Sequence, residues 1–210
     1  MRSLVLVAAL IAITCSVASA DFSVVDPSNC EVPSHLIVVG SNGSYGDIAG
    51  TFSVVVRDFN HRTMNCMVEV WFADCPYVRL CTNQLSSGLT MSCASRVMSR
   101  MSDAGGAANF RVIGDASPAG CPSDPPGRVS VYACGVLIGT ATVSVLDIDG
   151  DPGLSGNDLS EWLAGFFCNS TSPRLDYDGD GTVGGGDLSV WLAFFNGGGS
   201  TMGCTVGSCP

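Results

Sequence analysis

Two twelve-residue stretches, DIDGDPGLSGND (Asp147 to Asp158) and DYDGDGTVGGGD (Asp176 to Asp187), constrain this chain more than any other feature. Each has Asp at loop positions 1, 3, 5 and 12. Each runs at once into a similar amphipathic segment, LSEWLAGFF (Leu159 to Phe167) or LSVWLAFFN (Leu188 to Asn196). Four carboxylates on that spacing repel one another unless a cation lies between them. Hard oxygen ligands in a loop of this length suit calcium.

In the second loop Asp176, Asp178 and Asp180 offer side-chain oxygens and Thr182 its backbone carbonyl. Gly181 stands where the chain must turn sharply. Asp187 closes the shell from the first turn of a helix, where a carboxylate also suits the positive helix end. The first loop has Asp147, Asp149, Asp151 and Asp158, with Gly153 for the carbonyl, but Pro152 at the turn position. Proline holds φ near about −65° and restricts the residue before it. Two calcium ions are therefore expected, the second bound more strongly than the first. Val183 and Leu154 are expected to tie the loops together.

Behind each loop, apolar residues recur at helical spacing: Leu159, Trp162, Leu163 and Phe166, then Leu188, Trp191, Leu192 and Phe195. Such a stripe predicts a helix buried along one face. Loop then helix, twice, over residues 147–197, resembles a dockerin, a module of two calcium-loop/helix repeats. That resemblance implies an EF-hand-like calcium role and a cohesin partner. At the positions where dockerins read their cohesin, often with a Ser-Thr pair and basic residues, this chain has Gly156-Asn157 and Gly185-Gly186.

Residues 21–146 read as all-β. Phe52, Val54 and Val56 alternate, as do Cys66, Val68, Val70 and Phe72, with Met67, Glu69 and Trp71 on the opposite face. Residues 109–113, 128–133 and 141–145 repeat the pattern. Short strands punctuated by Gly, Asn and Pro predict an antiparallel two-sheet sandwich. The stretches VVVRDFNHRTMNCMVEVWF (54–72), SDAGGAANFRVIG (102–114) and GRVSVYACGVLIGTATV (127–143) resemble bacterial Ig-like domains of the invasin/adhesin type. Cys66, Cys121 and Cys134 depart from that family. The fold expected is thus mainly β, an Ig-like sandwich followed by a small α module. The last strand should enter the first calcium loop without a linker.

The ends and the composition place the chain outside the cell. Arg2, the apolar run Leu4 to Ile13 and Ala18-Ser19-Ala20 read as a signal peptide, residues 1–20. No second long apolar run follows, so no membrane span is expected. Ten of the eleven cysteines lie beyond residue 20, an even number that argues for disulfides in a secreted or cell-surface protein. Two local pairs are reasonable, Cys75 with Cys81 and Cys168 with Cys204. The Gly-rich tail, residues 198–210, should be irregular and tied down by Cys204 or Cys209. Eight of the nineteen acidic residues are the loop aspartates, so the net charge of −10 is mostly local to the loops. There is no lysine and no basic stripe, which argues against nucleic acid.

Catalysis finds few residues. His35 and His61 are the only histidines, and Glu occurs only at Glu31, Glu69 and Glu161, the last expected to be solvated. No nucleophile elbow, zinc-protease or phosphate-loop motif occurs. The expectation is a non-catalytic structural or adhesion protein. The alternative is a carbohydrate-binding accessory protein of a polysaccharide-degrading system, with Trp71 and Tyr77 as a ligand-stacking pair. Against that pair stands the ordinary reading of Trp71 as packing on a neighbouring strand or disulfide.

Overall fold

A computed structural model describes residues 23–39, 50–82, 84, 86–124, 127–151, 153–197 and 208–209. The expected signal segment, Pro152 and Cys204 lie outside these residues. The protein is mainly β. Among the described residues ten strands precede the first acidic loop: β1 (His35–Val38), β2 (Thr51–Val55), β3 (Met67–Trp71), β4 (Val78–Cys81), β5 (Thr90–Ser92), β6 (Val97–Met101), β7 (Ala107–Arg111), β8 (Gly114–Ala116), β9 (Arg128–Ala133) and β10 (Val136–Val145). Helices α1 (Gly156–Phe167) and α2 (Gly185–Asn196) follow, joined through a 3₁₀ turn at Pro173–Leu175, and β11 (Ser208–Cys209) comes last.

Six strands form one sheet in the order β1-β10-β9-β3-β6-β5; β11-β4-β8 and β2-β7 form two smaller ones. Among the described strands all pairings are antiparallel except β1 with β10, and the isolated bridge of Val39 with Ile113 is parallel too. The alternation read from the sequence sets the faces. Phe52, Val54 and Val56 point inward, and so do Cys66, Val68, Val70 and Phe72. Phe52 and Phe110 are opposite one another in the β2–β7 register and stack at 5.3 Å between ring centroids. A cross-strand aromatic pair of this kind adds about 0.5–1 kcal/mol to the burial itself. Inner faces of all three sheets share one apolar core, and Trp162, Leu175, Tyr177, Trp191 and Phe194 of the C-terminal part belong to it.

Strand β10 ends at Val145 and the first acidic loop begins two residues later, so no linker intervenes. The segment 117–124 then holds the helical part against the strands. Cys121 and Cys168 form a disulfide. Arg174, 6% exposed, grips Asp124 with both Nε and Nη2 at 2.5 Å and donates Nη1 to the Ser117 carbonyl at 2.7 Å. Its guanidinium also lies 5.4 Å from the centroid of the Tyr77 ring. A two-pronged contact to a carboxylate is the strong form of this interaction.

The disulfides correct both local guesses. Cys66 pairs with Cys134, Cys93 with Cys209, and Cys121 with Cys168. Cys75 is a buried free thiol, its pKa pushed up to about 11 chiefly by burial, while Cys81 is disulfide-bonded elsewhere. The reason is the extended strand between them: Val78 to Cys81 alone spans about 10 Å, beyond what a disulfide bridges. Cys168 meets Cys121 rather than Cys204 because α1 ends beside the 117–124 segment. The tail is held as expected, by Cys209.

The helix stripes are also corrected. Trp162 and Trp191 are buried, but Phe166, Leu192 and Phe195 are exposed. The inward positions are instead Gly165 and Phe194. Phe166 and Phe195 stack on the outer side of their own Trp162 and Trp191, at 5.4 and 5.0 Å.

Candidate metal centre

Each loop folds its carboxylates inward by the same backbone bonds. At position 1, Asp147 accepts from Gly150 N (3.0 Å) and Gly153 N (3.3 Å); Asp176 accepts from Gly179 N (2.8 Å) and Gly181 N (2.9 Å). At position 12, Asp158 accepts from the amides of Ile148, Asp149 and Ser155, and Asp187 from those of Tyr177, Asp178 and Gly184. The position-12 carboxylate thus holds the entry and exit of its loop together. It also satisfies the N-cap amide of the following helix. In α1 the Ser155 hydroxyl adds a second cap by accepting from Asn157 N. Gly184 of α2 has no side chain to do this.

Two triads result. Asp147, Asp149 and Asp158 each bring a carboxylate oxygen within 4.8 Å of the others, and so do Asp176, Asp178 and Asp187. Asp149 Oδ2 is buried and has no hydrogen-bond partner. A buried, unpartnered acceptor facing other carboxylates is what a cation would satisfy. The fourth acids, Asp151 and Asp180, are exposed and stand outside the triads. Asp180 instead accepts from the amide and hydroxyl of Thr182 at 2.8 and 2.7 Å, which holds its pKa low.

Burial and crowding push the clustered carboxyls the other way. Asp147 is raised to about 8, first by burial and then by Asp158, Asp115 and Asp149. Asp158, Asp176 and Asp187 are raised as well, each chiefly by burial. Carboxyls in this state favour either a proton or a bound cation.

The turn in the first loop is displaced. Gly181, at position 6 of the second loop, has φ +90°; in the first loop the positive φ of +100° belongs to Gly153, at position 7. Pro152 has no N–H to donate to Asp147, and the bond passes to Gly153 as well. Gly153, expected only as a carbonyl donor, therefore serves as the turn residue. Leu154 is buried and Val183 half-buried, but they form no β-bridge among the described residues.

Three body residues beside the loops carried no sequence signal. A Cβ on Gly150 would lie 2.1 Å from Arg79 Nη2, and one on Gly179 would lie 2.8 Å from the His35 ring, so each loop rests its fourth residue on a basic side chain. His35 is held by the Thr142 and Ser144 hydroxyls, both at 3.1 Å. Arg79 is paired with Asp115 at 2.6 Å. Glu161 is not simply solvated: it accepts from Gly120 N at 2.8 Å.

The stacking pair of the alternative reading, Trp71 with Tyr77, is not offered to a ligand as a pair. Tyr77 is buried and donates its hydroxyl to the Val143 carbonyl at 2.9 Å. Trp71, 38% exposed, lies beside Tyr132 of β9, with centroids 5.5 Å apart. No helix among the described residues is long and apolar enough to cross a membrane. Three disulfides between described residues fit an oxidising, extracellular setting. No family model, curated protein or solved structure matches this chain.

Proposed function

We propose that this chain is a secreted, non-catalytic structural or adhesion protein whose C-terminal loop–helix pair binds two calcium ions. The carrying observation is the double triad. Two loops of equal length gather carboxylates by matching hydrogen bonds, one of them moved by a residue, and one oxygen, Asp149 Oδ2, is left buried without a partner. Asp147, Asp149 and Asp158 would hold one ion and Asp176, Asp178 and Asp187 the other. Gly153 and Thr182 would offer carbonyls, and Asp151 and Asp180 would complete the shells by turning inward. Bound calcium neutralises the clustered charge and locks the end of β10 to α1. The dockerin-like reading is supported by the loop–helix order, and the Ig-like sandwich by inner sheet faces that share one core.

Calorimetric titration of the full chain tests this. Two calcium-binding steps are expected, with Asp187→Ala abolishing the tighter one. Absence of any calcium uptake would sink the reading. A cohesin or another cell-surface protein is the partner that the dockerin likeness implies; binding to an immobilised cohesin panel tests it.

One observation favours the polysaccharide reading with a changed residue pair. Half-exposed Trp71 and its neighbour Tyr132 lie on the outer face of the six-stranded sheet, with Glu69 and Ser130 in adjacent register. Retention on an insoluble polysaccharide that is lost in Trp71→Ala would support it. No retention on any glycan would end it.

A further inference from the structure

The two loops repeat one another, but the β body does not meet them alike. Beneath the first lies the cross-strand pair of Arg79 on β4 and Asp115 on β8, which face each other in register. Arg79 Nε holds Asp115 Oδ1 at 2.6 Å, and its Nη2 donates to the Ala116 carbonyl at 2.8 Å. The next link is a backbone hydrogen bond: the Ala116 amide donates to the Asp147 carbonyl at 2.8 Å. So β8 is pinned to the first ligand of the loop, and Arg79 is pressed against Gly150. Asp115 is 6% exposed, so water screens its charge poorly. The counterpart beneath the second loop is His35, secured by two neutral hydroxyls.

We propose that Arg79 and Asp115 set the calcium affinity of the first site from outside the loop. Asp115 supplies a further negative charge beside Asp147, and Arg79 offsets it. This rests on the calcium reading above. Its physical content is a difference of sign. Removing the carboxylate leaves an unbalanced guanidinium against the loop and weakens binding. Removing the guanidinium leaves an unbalanced carboxylate and strengthens it. Neither residue would be a ligand, since both lie on strands of the body. Nor would either be replaceable by a loop residue, so residues 147–197 alone would not reproduce the affinity of the first site.

The test is calcium calorimetry on the full chain, with Asp187→Ala as background so that the remaining step reports the first loop. In that background Asp115→Asn is expected to weaken binding by about threefold to tenfold, and Arg79→Met to tighten it by a similar factor, as for one charge in a partly screened setting. Asp115→Glu should restore the affinity. In the otherwise wild-type chain the second-loop step should move less than about twofold, because that loop rests on His35 rather than on Arg79. Weakening in both variants would mark a merely structural pair and overturn the proposal, as would no change in either. A wild-type chain with two calcium steps and silent variants overturns this inference alone; a wild-type chain with none overturns the calcium reading too.

Discussion

At the tenth residue of each helix the first copy of the repeat has Gly165 and the second has Phe194, and both positions are buried. A Cβ on Gly165 would stand 2.2 Å from Leu175 Cδ1. Leu175, from the single turn that joins the copies, lies against α1 where α2 carries a ring of its own. The loops, by contrast, keep the same carboxylate scaffold in both copies, apart from the turn moved from position 6 to 7. Ligand geometry thus repeats, while packing diverges because only one link lies between two copies and it can fill only one of them.

Removing calcium should produce the largest effect, and it should reverse the pH dependence. Without calcium, Asp147 titrates near 8 in the folded chain, against about 4 when unfolded. A carboxyl raised by folding stabilises fully below its unfolded pKa, and that stability is lost as pH rises through the folded value. In chelator, the melting temperature should therefore fall between pH 5 and pH 8. With saturating calcium it should rise over the same window, because the cation needs ionised carboxylates. Parallel calorimetric curves in the two conditions would refute this.

Breaking the shared clamp comes next. Arg174→Ala takes the guanidinium from the half-buried Asp124, which keeps the Ser172 hydroxyl, and should cost about 3–5 kcal/mol in denaturant unfolding. A similar loss, about 3–5 kcal/mol, is expected for Phe194→Ala, which opens a cavity only in the second copy. The opposite change, Gly165→Ala, crowds Leu175 in the first copy and should cost about 1–3 kcal/mol. If Gly165→Ala were neutral or stabilising, the argument that Leu175 fills the first copy would fail.

The strands were legible where one face is buried and the alternation is clean. Residues 51–55, 67–71 and 128–133 lie within the segments that their periodicity predicts. The short edge elements were not: β5 (TMS) and β8 (GDA) are three residues each, too brief to carry a period, and their neighbours define them. Helix positions were legible, but not which ring turns inward, since that depends on Leu175 and on the Trp rings that carry Phe166 and Phe195. In the loops, spacing alone picked out the six triad aspartates. It could not separate Asp151 and Asp180 from them, because loop position does not reveal that Thr182 holds the Asp180 carboxylate. The three disulfides between described residues join partners 47 to 116 residues apart, which only the packed sheets bring together.

The last described strand has a mechanical consequence. β11 pairs with β4, and Cys209 is bonded to Cys93 at the turn between β5 and β6. Tension applied at the carboxyl end would therefore pass through a covalent bridge into the large sheet. The helices and both acidic loops lie on the chain between Cys93 and Cys209, inside a closed loop that carries none of that load. For a protein anchored at its tail, the part that depends on an ion would be the part spared from the pull.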